Sequence, residues 1–508
     1  MSLQDLLEAS GNSTSPAIVP PLPLQPGGVD PLGMRQLNFD LMDRALPGLN
    51  NVANRIRPYV AVTWAWWKAT NLARARGGAK VDLRDLKGYV DRFEVVFAAS
   101  HLQAGEFAGL LGSQVLTQYL SAGGSYIFTG PTWHVFQKNR AMTTSLMAPV
   151  AYGPSIKVGY GLGYLDPREE GAFAPTPAVM PAIEAFDARM SPILGHPVFA
   201  SLDETDVSAS EVGSWLPHWR ITDLTPIERE VGRQRLYDGN DRGGGRRPLL
   251  ELIEKVLQAS PAPLDVAGVR TSLGVRILDD PSSSSAERPE KIWRALQARQ
   301  LLRLALEGLL VWVLDEITSR SLSLEDLSRR LAQTAGIEPK SRFGIWLDDL
   351  PDIKGGPAPG HDPVTYLERI RMNGRREDWP AGLLTGLKIS LAGGAEAQPQ
   401  DPLYAGHQQR LPLGLAVARV NGMLDFTVEE ALETILAEWV IGQHVYWAVS
   451  RSGDQTQRLR LMLDEGGWTA ILTQPSLPNP TPDRLETALN LMADCGVVTK
   501  GEDNRFHI

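Results

Sequence analysis

The stretch "NNVANRIRPYVAVTWAWW", residues 50–67, follows directly on "RALPGL" and decides how the first third of the chain is read. It places Arg55, Arg57, Pro58 and three tryptophans within eighteen positions. That mixture suits either a basic, aromatic surface for nucleic acid or the core of a helical domain. On a helix turning about 100° per residue, Val52, Ile56, Val60, Thr63, Trp64 and Trp67 share one broad stripe. Tyr59, Val62 and Trp66 occupy another side, near Arg55. A helix apolar over most of its circumference belongs at the centre of a domain. A base-stacking platform needs exposed aromatics along a basic groove, yet Lys68, Arg74 and Arg76 come only toward the helix end. The core reading wins, and it makes Trp64 and Trp67 structural residues. Arg55 and Arg57 are expected to be satisfied by carboxylates such as Asp40 or Asp43 across the Pro47-Gly48 turn. Pro58 should kink the helix or mark its start, with Asn50 or Asn51 as its cap.

Working outward, "MRQLNFDLMDRAL" carries apolar residues at Leu37, Leu41 and Leu46 in helical spacing, and Pro47-Gly48 ends it. Further helices are predicted over "VDLRDLKGYVDRFEVVFAASHL" and "GEFAGLLGSQVLTQYLSAG". Between Gly123 and Leu165 the texture turns to Gly, Tyr and Pro, which reads as loops with short strands. A helix resumes over "TPAVMPAIEAFDARM". Beyond "DGNDRGGGRRPLL", a junction loop, helices are expected over Pro248–Ala259 and over "KIWRALQARQLLRLALEGLLVWVLDEI". The latter is apolar enough to sit inside a bundle. "SSSSAERPE" before it reads as a loop. "SLSLEDLSRRLAQTAG" has a serine cap, an acidic first turn and a glycine stop.

The last eighty residues are the most legible. "TVEEALETILAEWVIGQHVYWAVSR" is a helix, and "RLRLMLDEGGWTAILTQPSL" reads as a helix or strand followed by a short helix. "TPDRLETALNLMADCGVV" opens with Thr481 as cap and Pro482 at the first helical position. "GVVTKGEDNRFHI" then reads as strand, polar turn, strand. A helix followed by a two-stranded hairpin is how a winged-helix domain ends. The expected fold is therefore mainly α: a multi-domain helical protein with a small α+β winged-helix-like C-terminal domain. The expected boundaries are a Pro-rich lead-in at 1–30, helical domains at 31–225 and 226–425, and the winged-helix-like domain at 426–508.

A length of 508 residues exceeds one compact core. A net charge of -9 argues against a generally basic nucleic-acid binder, although a local basic groove remains compatible with it. The single cysteine, Cys495, excludes internal disulfides and cysteine-rich zinc sites, and it fits a cytoplasmic protein. The opening "MSLQDLLEASGNSTS" lacks the basic start and apolar core of a secretory signal, and no apolar run is long enough for a membrane span.

Chemistry-bearing motifs are few. There is no G-x-x-x-x-G-K-[ST] phosphate loop, H-E-x-x-H helix or G-x-S-x-G elbow. The eight histidines are scattered, with none three to five residues from another, so no local metal spacing exists. "GYGLGY", Gly159 to Tyr164, is followed by Asp166-Pro167 rather than by the helix a dinucleotide loop requires. Asp279-Asp280, Glu169-Glu170 and Asp348-Asp349 are carboxylate pairs. With Asp352 and Lys354, Asp349 supplies the acidic pair and lysine of a metal-dependent nuclease, but within one loop. No catalytic residue, metal ligand or cofactor is assigned.

The strongest cationic cluster is "IEREVGRQRLYDGNDRGGGRRP", which holds Arg229, Arg233, Arg235, Arg242, Arg246 and Arg247. Arginine's planar fork suits phosphate, and glycine lets backbone amides approach the same oxygens. These six are the candidate nucleic-acid or phosphate contacts, against the reading of a solvated linker diluted by Glu228, Glu230, Asp238 and Asp241. The last helix offers only Arg484 against Asp483, Glu486 and Asp494, and its turn sets Lys500 against Glu502 and Asp503. A groove-reading helix carries basic and polar residues, so this module is expected to contact protein.

The run "LNFDLMDRALPGLNNVANRIRPYVAVTWAWWKA" resembles the opening of bacterial protein families that accompany helicase and nuclease genes in phage-defence clusters. The shared pattern is a helix, the Pro47-Gly48 turn, spaced arginines (Arg55, Arg57) and an aromatic-rich helix, with "RPY" here where "RY" is commoner. "YGPSIKVGYGLGYL" adds to it. The resemblance implies a non-catalytic scaffold or adaptor subunit of a bacterial antiviral defence or DNA-processing complex. Its partners would be the other subunits, with DNA as a further candidate. Two alternatives stay open: a direct DNA or RNA sensor using the arginine cluster and winged helix, and a nuclease whose site is assembled from distant residues.

Overall fold

The computed structural model describes residues 30–77, 81–107, 109–239, 245–275, 289–349, 374–394, 399–451, 458–473 and 476–508. About 60% of the described residues are helical, and the sheets among them are four two-stranded antiparallel ladders, so the fold is mainly α. No described helix is long and apolar enough to cross a membrane. The chain forms two compact units that interleave along the sequence. One comprises Met42–Leu273 and Pro482–Ile508, and the other comprises Gly274–Thr481 together with residues up to Leu41.

The helices used below are α1 (Arg35–Ala45), α2 (Ile56–Gly77), α3 (Leu83–Gln103), α4 (Met180–Met190), α5 (Pro226–Asp238), α6 (Arg247–Ala259) and α7 (Val266–Val275). They continue with α8 (Pro289–Glu316), α9 (Leu324–Thr334), α10 (Trp379–Gly393), α11 (residues 428–450, with a π-helical middle at Ile435–Ile441) and α12 (Leu485–Asp494). The strands are β1 (Ser125–Ile127), β2 (Leu165–Pro167), β3 (Phe173–Pro175), β4 (Asp206–Ser208), β5 (Leu461–Asp464), β6 (Gly467–Ala470), β7 (Thr499–Lys500) and β8 (Phe506–His507).

In the first unit α2 is the central helix, packed by α3 and α4. Trp64 is buried against Phe93 and Phe186, and its indole N–H donates to Asp187 at 2.8 Å. Trp66 is also buried, while Trp67 is half-buried with the Lys68 ammonium over its ring. Pro58 lies in the first turn of α2 and so marks its start. The cap is not the one expected. Asn50 turns back on itself, accepting from the amides of Val52 and Ala53. The free amide of Ile56 is instead met by the Asp494 carboxylate, at 2.8 Å, from the end of α12.

Three further sequence expectations are corrected in this unit. The helix expected over 105–123 is reduced to Ser113–Tyr119, because Gly105, Gly109 and Gly112 all take positive φ. Within the stretch read as loops and strands, a helix forms at Gly130–Ala141, with Pro131 in its first turn. Thr481 and Pro482 do not open α12, which starts at Leu485 after Arg484 takes a φ of 66°.

In the second unit α8 is enclosed on every side from Ala295 to Leu314. It packs along α10, where Gly308 lets Leu383 approach. The local grammar is as the sequence states it: Ser323 caps α9 and Thr427 forms a capping box with Glu430. The segment read as a helix or strand before a short helix is the β5–β6 hairpin. Residues 276–288, with Asp279-Asp280 and most of "SSSSAERPE", lie outside the described residues; Pro289 and Glu290 of that stretch open α8.

Hairpins β5–β6 and β7–β8 each gain a single-residue bridge from far upstream. Leu264 pairs antiparallel with Phe506 of β8, and Leu322 pairs antiparallel with Trp468 of β6.

Candidate functional site

Helix α5 carries the first half of the arginine cluster, and its own start explains where each side chain goes. Thr225 and Glu228 form a capping box behind Pro226. This turns Glu228 inward, where its other oxygen meets Arg57 at 3.1 Å with both side chains wholly buried. The Arg57 guanidinium also donates to the Asp223 carbonyl. Burial lowers its pKa to about 10, opposed by Glu228, so it stays charged at neutral pH. Arg55 forms a two-pronged pair with Asp494, at 3.0 and 2.8 Å. The carboxylates expected for these arginines are engaged elsewhere, Asp40 with Gln36 and Asp43 with Arg484 and Tyr160.

The residue after Glu228, Arg229, donates to the Leu224 carbonyl and to that of Asp494. Arg55 and Arg229 therefore converge on the C-terminal end of α12. Burial raises the Asp494 carboxyl, and Arg55 opposes that shift. Gly232 leaves room on α5 for the Cys495 sulfur and Ile56. The thiol is pushed up, by burial and then by Asp494, which makes it a packing group rather than a nucleophile.

The second half of the cluster points into the same unit. Arg235 donates to the carbonyls of Leu162 and Gly239. Arg246 is fully buried and reaches four carbonyls, those of Leu236, Pro47, Gly161 and Arg235. These bonds join the "LPG" turn to the "GYGLGY" turn. Gly48, at φ +75°, lets the two turns touch: a Cβ there would lie 1.9 Å from the Tyr160 carbonyl oxygen. Arg233 and Arg247 face solvent, paired with Glu230 and with Asp238 and Glu251 respectively. Arg242 lies outside the described residues. The cluster is thus not assembled on one face; Arg229, Arg235 and Arg246 fasten loops and helix ends.

Helix α12 itself is enclosed. Of its ten residues only Glu486 is exposed, with Ala493 half-buried. Asp483, just before it, pairs with Arg270 of α7 at 2.6 Å. Lys500 of β7 donates to Asn490, at 2.9 Å, and lies over the Phe506 ring.

Of the carboxylate candidates, Asp349 accepts from Lys388 through its backbone carbonyl, and Asp352 and Lys354 lie outside the described residues. Glu169 and Glu170 sit exposed on a short 3-10 turn. Among the described residues no three His, Cys, Asp or Glu side chains are grouped to hold a metal.

Two buried polar networks escaped the sequence reading. Glu94 of α3 accepts from Arg140, Ser145 and the Leu146 amide, beside Asp91, whose pKa burial raises to about 6 against the pull of Arg140. On α8, Arg299 donates to the Met34 and Arg410 carbonyls, and Arg303 pairs with Glu307 at 2.8 Å while donating to Asn479. The available signal was charge at i, i+3 or i+4 inside an otherwise apolar helix, at Asp91 and Glu94 and again at 299, 303 and 307.

No protein family, curated protein or solved structure matches this chain.

Proposed function

We propose that this chain is a non-catalytic subunit, a scaffold or adaptor, of a bacterial anti-phage defence or DNA-processing complex, and that it docks partners through winged-helix-like modules. The first module is α6, Leu264, α7, α12, β7 and β8. A winged helix has the order helix, strand, helix, helix, hairpin, with its first strand beside its last, and the Leu264–Phe506 pairing supplies that contact. In chain order the other unit is inserted between α7 and α12.

The observation that carries the protein-docking reading is the enclosure of α12. A helix that reads a groove must offer a face of basic and polar side chains, and this one offers Glu486. The described arginines of the cluster are engaged with carbonyls or carboxylates of their own unit. The defence setting rests on the N-terminal resemblance.

The test is co-expression with the products of adjacent genes. A stoichiometric complex is expected, and a chain always recovered alone would count against the adaptor. Titration of DNA at a series of salt concentrations separates the sensor reading, which requires a log-log slope of several units.

A further inference from the structure

The second unit repeats the chain order of the terminal module. Helix α8 leads to Leu322, then α9, then after the intervening residues 335–427 to α11 and the β5–β6 hairpin. Leu322 pairs with Trp468, so β6 lies between Leu322 and β5. Gly467, at φ +118°, fits this close join, since a Cβ there would meet the Leu322 carbonyl oxygen at 2.4 Å.

Among the described residues, nothing pairs with the outer edge of β5. Trp468 gives its N–H and its C=O to Leu322, so opposite Leu463 it forms the non-hydrogen-bonded kind of antiparallel pair. The N–H and C=O of Leu463 therefore point away from β6, and no partner meets them among the described residues. The side chains are equally uncovered: Met462 is 49% and Leu463 66% exposed. Successive strand residues face opposite sides, so the strand shows apolar surface on both. Edge strands are ordinarily protected by lysine, proline, a bulge or a covering element. The corresponding strand β7 carries Lys500; β5, Leu-Met-Leu-Asp, is short and ends in Asp464, but it has no lysine, no proline and, among the described residues, no covering element.

We propose that the open edge of β5 is a docking site for an extended segment of a partner subunit, apolar at alternate positions and ending in lysine or arginine. Main-chain pairing requires an extended occupant, and Met462 and Leu463 select apolar side chains. The exposed Asp464 and Glu465 at the turn, neither ion-paired among the described residues, select a basic end. A second copy of this chain fits less well. Self-pairing would join two chains that each carry a net charge of -9. The proposal rests on the adaptor reading and names the surface it uses.

The experiment titrates the full-length chain with three labelled synthetic peptides. One alternates valine and threonine between terminal lysines, one carries terminal glutamates, and one has a central proline. Anisotropy reads affinity, and hydrogen exchange reads the 461–470 hairpin. The lysine peptide is expected to bind at least about tenfold more tightly than the other two and to slow exchange at Leu463. Leu463→Pro, which removes an outward N–H only, should abolish binding. Met462→Ser with Leu463→Ser, which keeps the backbone intact, should weaken it. Equal affinity for all three peptides, no binding up to millimolar concentration, or a dimer of this chain that Leu463→Pro dissolves would overturn the proposal. If Leu463→Pro leaves a co-expressed complex intact, the β5 site is overturned while the adaptor reading stands.

Discussion

Arg57 and Glu228 meet where neither side chain reaches water, and such a pair is costly to break from one side. Removing one partner strands a buried charge, at roughly 3–5 kcal/mol. Arg57→Met alone is therefore predicted to destabilise its unit by that order. Adding Glu228→Gln should recover part of the loss, so a double-mutant cycle in urea must show strong coupling; additive losses would contradict the pairing. His101 offers a second residue-level test. Its Nδ1 faces the Phe97 carbonyl at 2.8 Å, and its Nε2 accepts from the Ile221 amide, so protonation would break the accepted bond. Burial lowers its pKa to about 4, against about 6.5 unfolded. Between those values the unfolded chain binds the extra proton, so this contribution is present above pH 6.5 and lost as pH falls toward 4. His101→Gln should then cost more stability at neutral pH than near pH 4, read by denaturant unfolding, and an equal cost at both would refute the assignment. That Arg57 would be buried and paired was legible from the apolar helix around it. Its partner was not, because Glu228 lies far along the chain and was read only as a neighbour diluting a basic cluster.

At the scale of elements, the helices announced themselves through their ends. Ser323, Thr225 and Thr427 cap as their residue types dictate, and apolar spacing placed α1, α2, α3 and α8. The failures have physical causes. Positive-φ glycines cut short the helix at 105–123, while the helix at Gly130–Ala141 lay hidden in a Gly- and Pro-rich stretch. Strand β5 looked as much like a helix as a strand, since a short apolar run carries no decisive period. Two glycines test how the elements join. At Gly48 both the positive φ and the Tyr160 carbonyl exclude a side chain, so Gly48→Ala is predicted to lower Tm markedly. At Gly467 the same change should detach Leu322 from β6. Faster hydrogen exchange at the Leu322 and Trp468 amides would report it, and unchanged exchange would deny that the bridge is held this way.

For the whole molecule, the sequence shows a mainly helical chain but hides its connectivity. Nothing local links Leu264 to Phe506 or Leu322 to Trp468, because pairing across hundreds of residues leaves no periodicity to read. The arginine cluster shows the same limit: composition reveals six cations, and only packing reveals that Arg246 clamps two turns from inside the core. Helix α12 leaves only Glu486 outward, and the β5–β6 hairpin leaves an apolar strand edge. The proposed adaptor reading takes both as contacts for protein partners. The most direct measurement is the light-scattering mass of the chain purified with its genetic neighbours, after nuclease treatment, at about 0.1 M and about 0.5 M salt. The adaptor account predicts a mass exceeding the 55.6 kDa chain by a whole partner, the same at both salts. A mass of one chain, or a larger species that disappears with nuclease and salt, would contradict it.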